Sequence, residues 1–203
     1  MYPGKLLAPI YRNILNLSLG RGEQPLARLD SFLFDVPRSV TFSQNEETSI
    51  IIPADPHFFK YLIQSHERHI SRAIEKLLKP SDIFLDIGAN IGYFSGCAAS
   101  VVGKTGQVFC FEPEAQNFEL LQANCDRLKK QGFHCSAFQL AASSTTGTAT
   151  LNLHRHSTYH TIEDSYHQLD KVEGTQIIST VTLDKWVQSQ GIQKISLLKI
   201  DAE

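Results

Sequence analysis

The 203-residue chain has no run of about 18 apolar residues, so no segment of it reads as a membrane-spanning helix. It also lacks a dominant charge: 19 basic and 21 acidic residues are interspersed, for a formal net charge of −2. A nucleic-acid surface needs a basic stripe, and none is present, so nucleic acid is not expected as a partner. The four cysteines, Cys97, Cys110, Cys125 and Cys135, include no C-x-x-C pair. Each sits in an apolar or helical stretch, where cysteine behaves as a small hydrophobe. No signal-peptide pattern precedes them, so a soluble cytoplasmic protein is expected rather than a disulfide-stapled one. Internal repeats and low-complexity tracts are absent too.

What is present divides near residue 65. Residues 1–64 read as an N-terminal extension, with a helix in the first twenty residues and strand-like stretches at 31–34 and 48–52. Pro9, Arg12 and Asn13 interrupt the first apolar stretch, which favours a helix packed on its own domain over a membrane-surface helix. From Glu67 onward, helices and strands alternate. Ile70, Ala73, Ile74, Leu77 and Leu78 recur at helical spacing, and Pro80 stops the helix. Short apolar runs at 83–87, 108–111, 133–140 and 195–200 read as buried strands, with helices at 91–102, around Phe118 to Leu128, and at 183–190. The stretches 148–153 and 176–181 read as an inserted antiparallel pair around a polar loop. Alternation of this kind predicts an α/β fold with a mostly parallel, doubly wound, Rossmann-like sheet.

The informative segment is Asp86-Ile87-Gly88-Ala89-Asn90-Ile91-Gly92, which leaves a strand, turns through two glycines and enters a helix. Gly88 admits a positive φ and has no Cβ, so a ligand can lie against its backbone. Asn90 tolerates unusual backbone angles and offers amide groups. Gly92 lets the helix start approach the strand, and Asp86 places a carboxylate at the strand's carboxyl end. In an open α/β sheet the ligand crevice lies at that end. The second element is Phe111-Glu112-Pro113, with Glu112 falling 20 residues after Gly92. An acid ending the second strand is placed to accept hydrogen bonds from both hydroxyls of a ribose. The glycines follow neither the nicotinamide pattern G-x-G-x-x-G nor a P-loop ending in Gly-Lys-Ser/Thr. A ligand with a nucleoside but no pyrophosphate fits, and S-adenosyl-L-methionine is such a ligand.

The ordered blocks Leu85-Asp86-Ile87-Gly88-Ala89-Asn90-Ile91-Gly92-Tyr93-Phe94, Phe111-Glu112-Pro113, Val181-Thr182-Leu183-Asp184 and Leu198-Lys199-Ile200-Asp201-Ala202-Glu203 resemble the FkbM family of S-adenosylmethionine-dependent methyltransferases. The resemblance covers roughly residues 65–203. It implies a class I methyltransferase fold and O-methylation of a small hydroxylated acceptor such as a sugar or polyketide. Carried over, Asp86, Gly88, Asn90 and Gly92 surround the methionine part of the cofactor and Glu112 holds the ribose. Ala142, in Ala141-Ala142-Ser143, then lies near the adenine. In the family the last block continues into a further helix and three more strands, so a partial domain with its C-terminal strands missing is expected, with the fourth strand an uncovered apolar edge.

Asp201 is the expected acceptor-side residue, able to orient a hydroxyl, take its proton or help hold a metal, although a carboxylate that only organises its loop has the same sequence signature. His154, His156, His160 and His167, with Tyr159 and Tyr166, fill the polar insertion. They read as a surface loop over the acceptor, with base or metal-ligand chemistry as the sharper alternative. No dedicated metal site is expected. Two other readings remain open at the level of sequence. One is a non-catalytic cofactor-binding fragment. The other is a nucleic-acid methyltransferase, disfavoured because Asp201-Ala202-Glu203 stands where Asn/Asp-Pro-Pro-aromatic would be.

Overall fold

The computed structural model describes residues 37–42, 48–55, 58–62, 64, 66–154 and 172–201. The expected N-terminal helix, the strand at 31–34, His156, His160, His167, Tyr159, Tyr166 and Glu203 lie outside them.

Four parallel strands form the central sheet: β3 (Ile83–Ile87), β4 (Gln107–Phe111), β5 (His134–Phe138) and β9 (Leu197–Ile200), in the order β5-β4-β3-β9. Strands buried on both faces carry continuous apolar runs, and Phe84, Leu85 and Ile87 are all buried, as are Cys110 and Phe111. The helices α3 (Tyr93–Val102) and α4 (Ala115–Lys130) link β3 to β4 and β4 to β5. They share one core with Phe84, Val108, Cys110 and Cys135. On the other face α5 (Leu183–Ser189) sets Trp186 edge-on against Phe109, Phe111 and Phe138, with ring centroids 5.2, 4.7 and 5.1 Å apart. Helices on both faces make this the doubly wound, Rossmann-like arrangement. The chain runs β3, β4, β5 in one direction and then returns to place β9 on the far side of β3. The topological switch therefore falls between β3 and β9.

Two features depart from the sequence pattern. The third strand is shorter than 133–140: β5 ends at Phe138, and Ala141–Ala142 forms β6 of a separate three-stranded sheet with β7 (Gly147–His154) and β8 (Val172–Val181), in the order β6-β8-β7. In helix α2 (Arg68–Leu77), Ile74 is buried but Leu77 is exposed, so the apolar stripe is narrower than its spacing implies. Strand β9 pairs only with β3 among the described residues, and Leu198 and Ile200 are exposed on it.

The segment before residue 65 joins the same core. The hairpin of β1 (Arg38–Thr41) and β2 (Ser49–Ile52) buries Val40, Ile50 and Ile52 against α3 and α4, followed by a short helix α1 (Phe59–Leu62). Asn124 on α4 holds it: its Oδ1 accepts from Ile51 N at 2.7 Å, and its Nδ2 donates to Ile51 O and Ile91 O at 2.9 and 2.8 Å. One buried amide thus ties the hairpin to the glycine turn. Truncation would strand these buried groups at about 1–3 kcal/mol each. Asn124→Ala is expected to lower unfolding free energy by about 3 kcal/mol, read from the urea midpoint at unchanged slope.

Candidate functional site

The carboxyl ends of β3, β4 and β9 converge on the segment 88–92. Gly88, Asn90 and Gly92 all take positive φ, at 70°, 51° and 88°, which gives the turn its alternating left-handed form. An added Cβ at Gly92 would stand 2.9 Å from Leu121 Cδ1, so a side chain there would be strained in angle and would have to displace the end of Leu121. The N–H groups of Gly88 and Ala89 donate to Phe111 O at 3.0 and 2.9 Å, fastening the turn to the end of β4.

Glu112 follows directly and is buried. Its Oε2 accepts from Asn90 N at 2.8 Å and its Oε1 from Glu114 N at 3.0 Å. The side chain therefore bridges the glycine turn and the entry to α4, whose N-cap Glu114 accepts from Gln116 N and Asn117 N at 3.0 and 2.6 Å. Among the described residues no cation faces Glu112. Burial pushes its pKa up to about 7, against the pull of the two backbone N–H groups. An acid whose folded pKa lies above its ordinary value of 4.5 binds more protons folded than unfolded in between. Stability is therefore expected to fall as pH rises from about 4.5 to about 7, by roughly 3 kcal/mol, and to level off above. Denaturant unfolding of wild type against Glu112→Gln across that window checks it, because the glutamine variant should lose the slope.

Asp86, at the end of β3, presents no accessible surface. Its Oδ2 accepts from Ser95 Oγ at 2.7 Å, and its Oδ1 lies 3.1 Å from Lys199 Nζ. Strand order explains the pairing, because Asp86 and Lys199 are register partners on β3 and β9. Lys199 also reaches Asp201 Oδ2 at 3.5 Å and Gly88 O at 3.3 Å, and stands 5.3 Å from the Phe94 ring centroid. Burial opposes its ammonium, but Asp86 and Asp201 together outweigh that and raise its pKa. Burial raises the Asp86 pKa as well, by more than Lys199 takes back. Asp201 is exposed, with its N–H held by Ile87 O at 3.0 Å.

The turn residues, Asp86, Glu112 and Asp201 are thus brought to one end of one sheet. Ala142 stands apart on β6, paired with Val181, packing against the cluster of Phe111 and Trp186. His154 closes β7, and its side chain lies outside the described residues. Lys199 has no sequence signature of its own, since a lysine in an apolar strand reads as a solvent-facing break. Only the position of β9 beside β3 reveals that it links the two carboxylates.

Residues 86–203, more than half the chain, match the Methyltransferase FkbM domain. The chain belongs to this family. The matched stretch begins at Asp86, the first residue of the ion pair with Lys199, and includes every site residue named above. The hexuronic acid methyltransferase AglP of Haloferax volcanii is 26% identical over 147 residues, covering 68% of this chain and 52% of the relative. The chain thus spans about half the length of that curated relative. Among solved structures, a SAM-dependent O-methyltransferase from Thermotoga maritima overlays with a TM-score of 0.34 at 17% identity, covering 50% of this chain and 40% of that one. A protein-L-isoaspartate O-methyltransferase overlays at 0.29 and 16%, covering 64% and 41%. Both overlays are partial, and the fold assignment rests on the sheet order. No described helix is long and apolar enough to cross a membrane.

Proposed function

We propose that this FkbM domain transfers a methyl group from S-adenosyl-L-methionine to an oxygen of a small hydroxylated acceptor, with sugar acids the first acceptor class to try. The observation that carries the reading is buried Glu112, a carboxylate with no cation partner among the described residues that bridges the glycine turn and the α4 entry. Each carboxylate oxygen has capacity beyond its one backbone N–H, which suits a pair of ribose hydroxyls. Gly88, Asn90 and Gly92 line the turn against the methionine part, Asp86 holds Lys199 beneath them, and Ala142 borders the adenine side. Nicotinamide and P-loop patterns are both missing, which favours a nucleoside without pyrophosphate. The sugar-acid class rests on the hexuronic acid methyltransferase to which the chain is similar.

When bound, the cofactor supplies an electrophilic sulfonium methyl. The protein's part is alignment and exclusion of water, and alignment alone is worth about 7–11 kcal/mol. Asp201, exposed at the switch point and held near Lys199, orients the acceptor oxygen or takes its proton. Calorimetric titration with S-adenosyl-L-methionine should give saturable one-to-one binding that strengthens as pH rises through about 7, where Glu112 ionises. Turnover on uronic acids with labelled cofactor then tests the chemistry. Methyl released as methanol by mild base marks a carboxylate ester, and a base-stable product marks an ether. Binding that is absent at every pH removes the cofactor reading, and binding without transfer to any oxygen acceptor removes the catalytic one.

A further inference from the structure

Three of the four cysteines meet at one point beneath the sheet. Cys110 on β4 and Cys135 on β5 project to the same face, and Cys125 on α4 comes down onto them. The Sγ–Sγ separations are 3.0 Å for Cys125–Cys135, 3.6 Å for Cys110–Cys135 and 3.9 Å for Cys110–Cys125. All three side chains are buried, and they are the one group with metal-ligand spacing among the described residues. We propose that Cys110, Cys125 and Cys135 form a closed three-sulfur binding site for a soft, thiophilic ion, separate from the methyl-transfer site.

Cysteines serving only as small hydrophobes have no reason to direct their sulfurs at one another, whereas here each Sγ lies within 4 Å of the other two, with Ser95 a further neighbour of Cys110. The donor set is sulfur alone, with no carboxylate or imidazole in the group, and such a set selects soft ions. The surrounding core is apolar, including Leu121, Leu128, Phe133 and Val108, and a net charge there is costly. Three thiolates around a divalent ion leave one negative charge, and around a monovalent ion two. Around trivalent arsenic they leave none. Zinc, moreover, takes a fourth ligand, and the group of metal-ligating side chains at this point holds three. Arsenous acid fits without residue: three S–H bonds and three As–OH bonds break, three As–S bonds form, three waters leave, and no oxidant or reductant is used. An ion so held would join β4, α4 and β5 just below Glu112.

Sodium arsenite is the probe. The reduced full chain should take up one arsenic, seen as a single mass increment in native mass spectrometry, with a raised thermal midpoint. After denaturation with the ion in place, Cys97 should alkylate readily and the other three slowly. Uptake should be slow, because the sulfurs are reached only when α4 lifts from β5. Cys125→Ala and Cys135→Ala, each a small apolar replacement, should weaken binding by more than the roughly 10–100-fold that loss of an outer-shell partner brings. Cys97→Ala should bind like wild type. No arsenic uptake by the folded wild type, uptake that survives in Cys125→Ala, or a preference for zinc over arsenite would each overturn the proposal. None of these outcomes depends on whether S-adenosyl-L-methionine binds.

Discussion

Glu112→Ala is expected to weaken S-adenosyl-L-methionine binding by a factor of about 10² to 10⁴. A hydrogen bond to a charged group is worth about 1.5–3 kcal/mol, two ribose hydroxyls double it, and about 1.4 kcal/mol is a factor of ten. The variant also frees Asn90 N from its carboxylate partner, so the glycine turn loses one of its fastenings to the β4 end. The fold should survive, because Gly88 and Ala89 remain bonded to Phe111 O and the desolvated acid is gone. Circular dichroism on the same sample separates loss of affinity from loss of structure. Wild-type affinity in a folded Glu112→Ala protein would take the ribose role away from this residue.

The second large effect is expected at Lys199. Lys199→Met removes the ammonium 3.1 Å from Asp86 Oδ1 and leaves a fully buried carboxylate without its cation. Breaking a buried pair from one side typically costs about 3–5 kcal/mol, most of it the stranded charge. Two features distinguish this from ordinary core damage. The loss should shrink as pH falls, since burial already raises the Asp86 pKa and the unpaired acid can escape by protonation. Asp86→Asn should restore most of the stability in the double variant, because Ser95 Oγ can still donate to the amide oxygen. Urea unfolding of the four proteins at low and neutral pH makes the comparison. Strictly additive, pH-independent losses would show that the pair carries no coupling.

The parts of the molecule legible in its sequence are those set by neighbours along the chain. The run into Asp86, the glycines at 88 and 92, and Glu112 before Pro113 each declare a strand end or a turn locally, and the structure has them there. What escaped is long-range. Lys199 meets Asp86 across 113 positions and only because β9 returns to the far side of β3. The cysteine cluster joins residues on β4, α4 and β5 that share no motif spacing, so their convergence follows from strand register and helix packing alone. The break between β5 and β6 has no glycine or proline to announce it, which is why 133–140 reads as one strand. Strand β2 is legible in its β-branched residues, but its partner β1 at Arg38–Thr41 is not, and the docking of the hairpin depends on Asn124, 73 positions beyond Ile51.

That docking bears on where the portable unit of this protein begins. The family-model match starts at Asp86, yet Val40, Phe42, Ile50 and Ile52 fill the space under α3 and α4, and Phe42 and Ile50 are what a Cβ at Gly96 would strike. A chain cut at the start of the match would keep every residue of the proposed cofactor crevice while baring one wall of its own interior. It would also unhook Asn124 from one of the two strands of backbone that it clasps. The stretch matched by the family model is therefore shorter than the body that shares this core. A graft or a minimal expression fragment has to carry the hairpin along, even though none of its residues lies among those assigned to the cofactor or the acceptor.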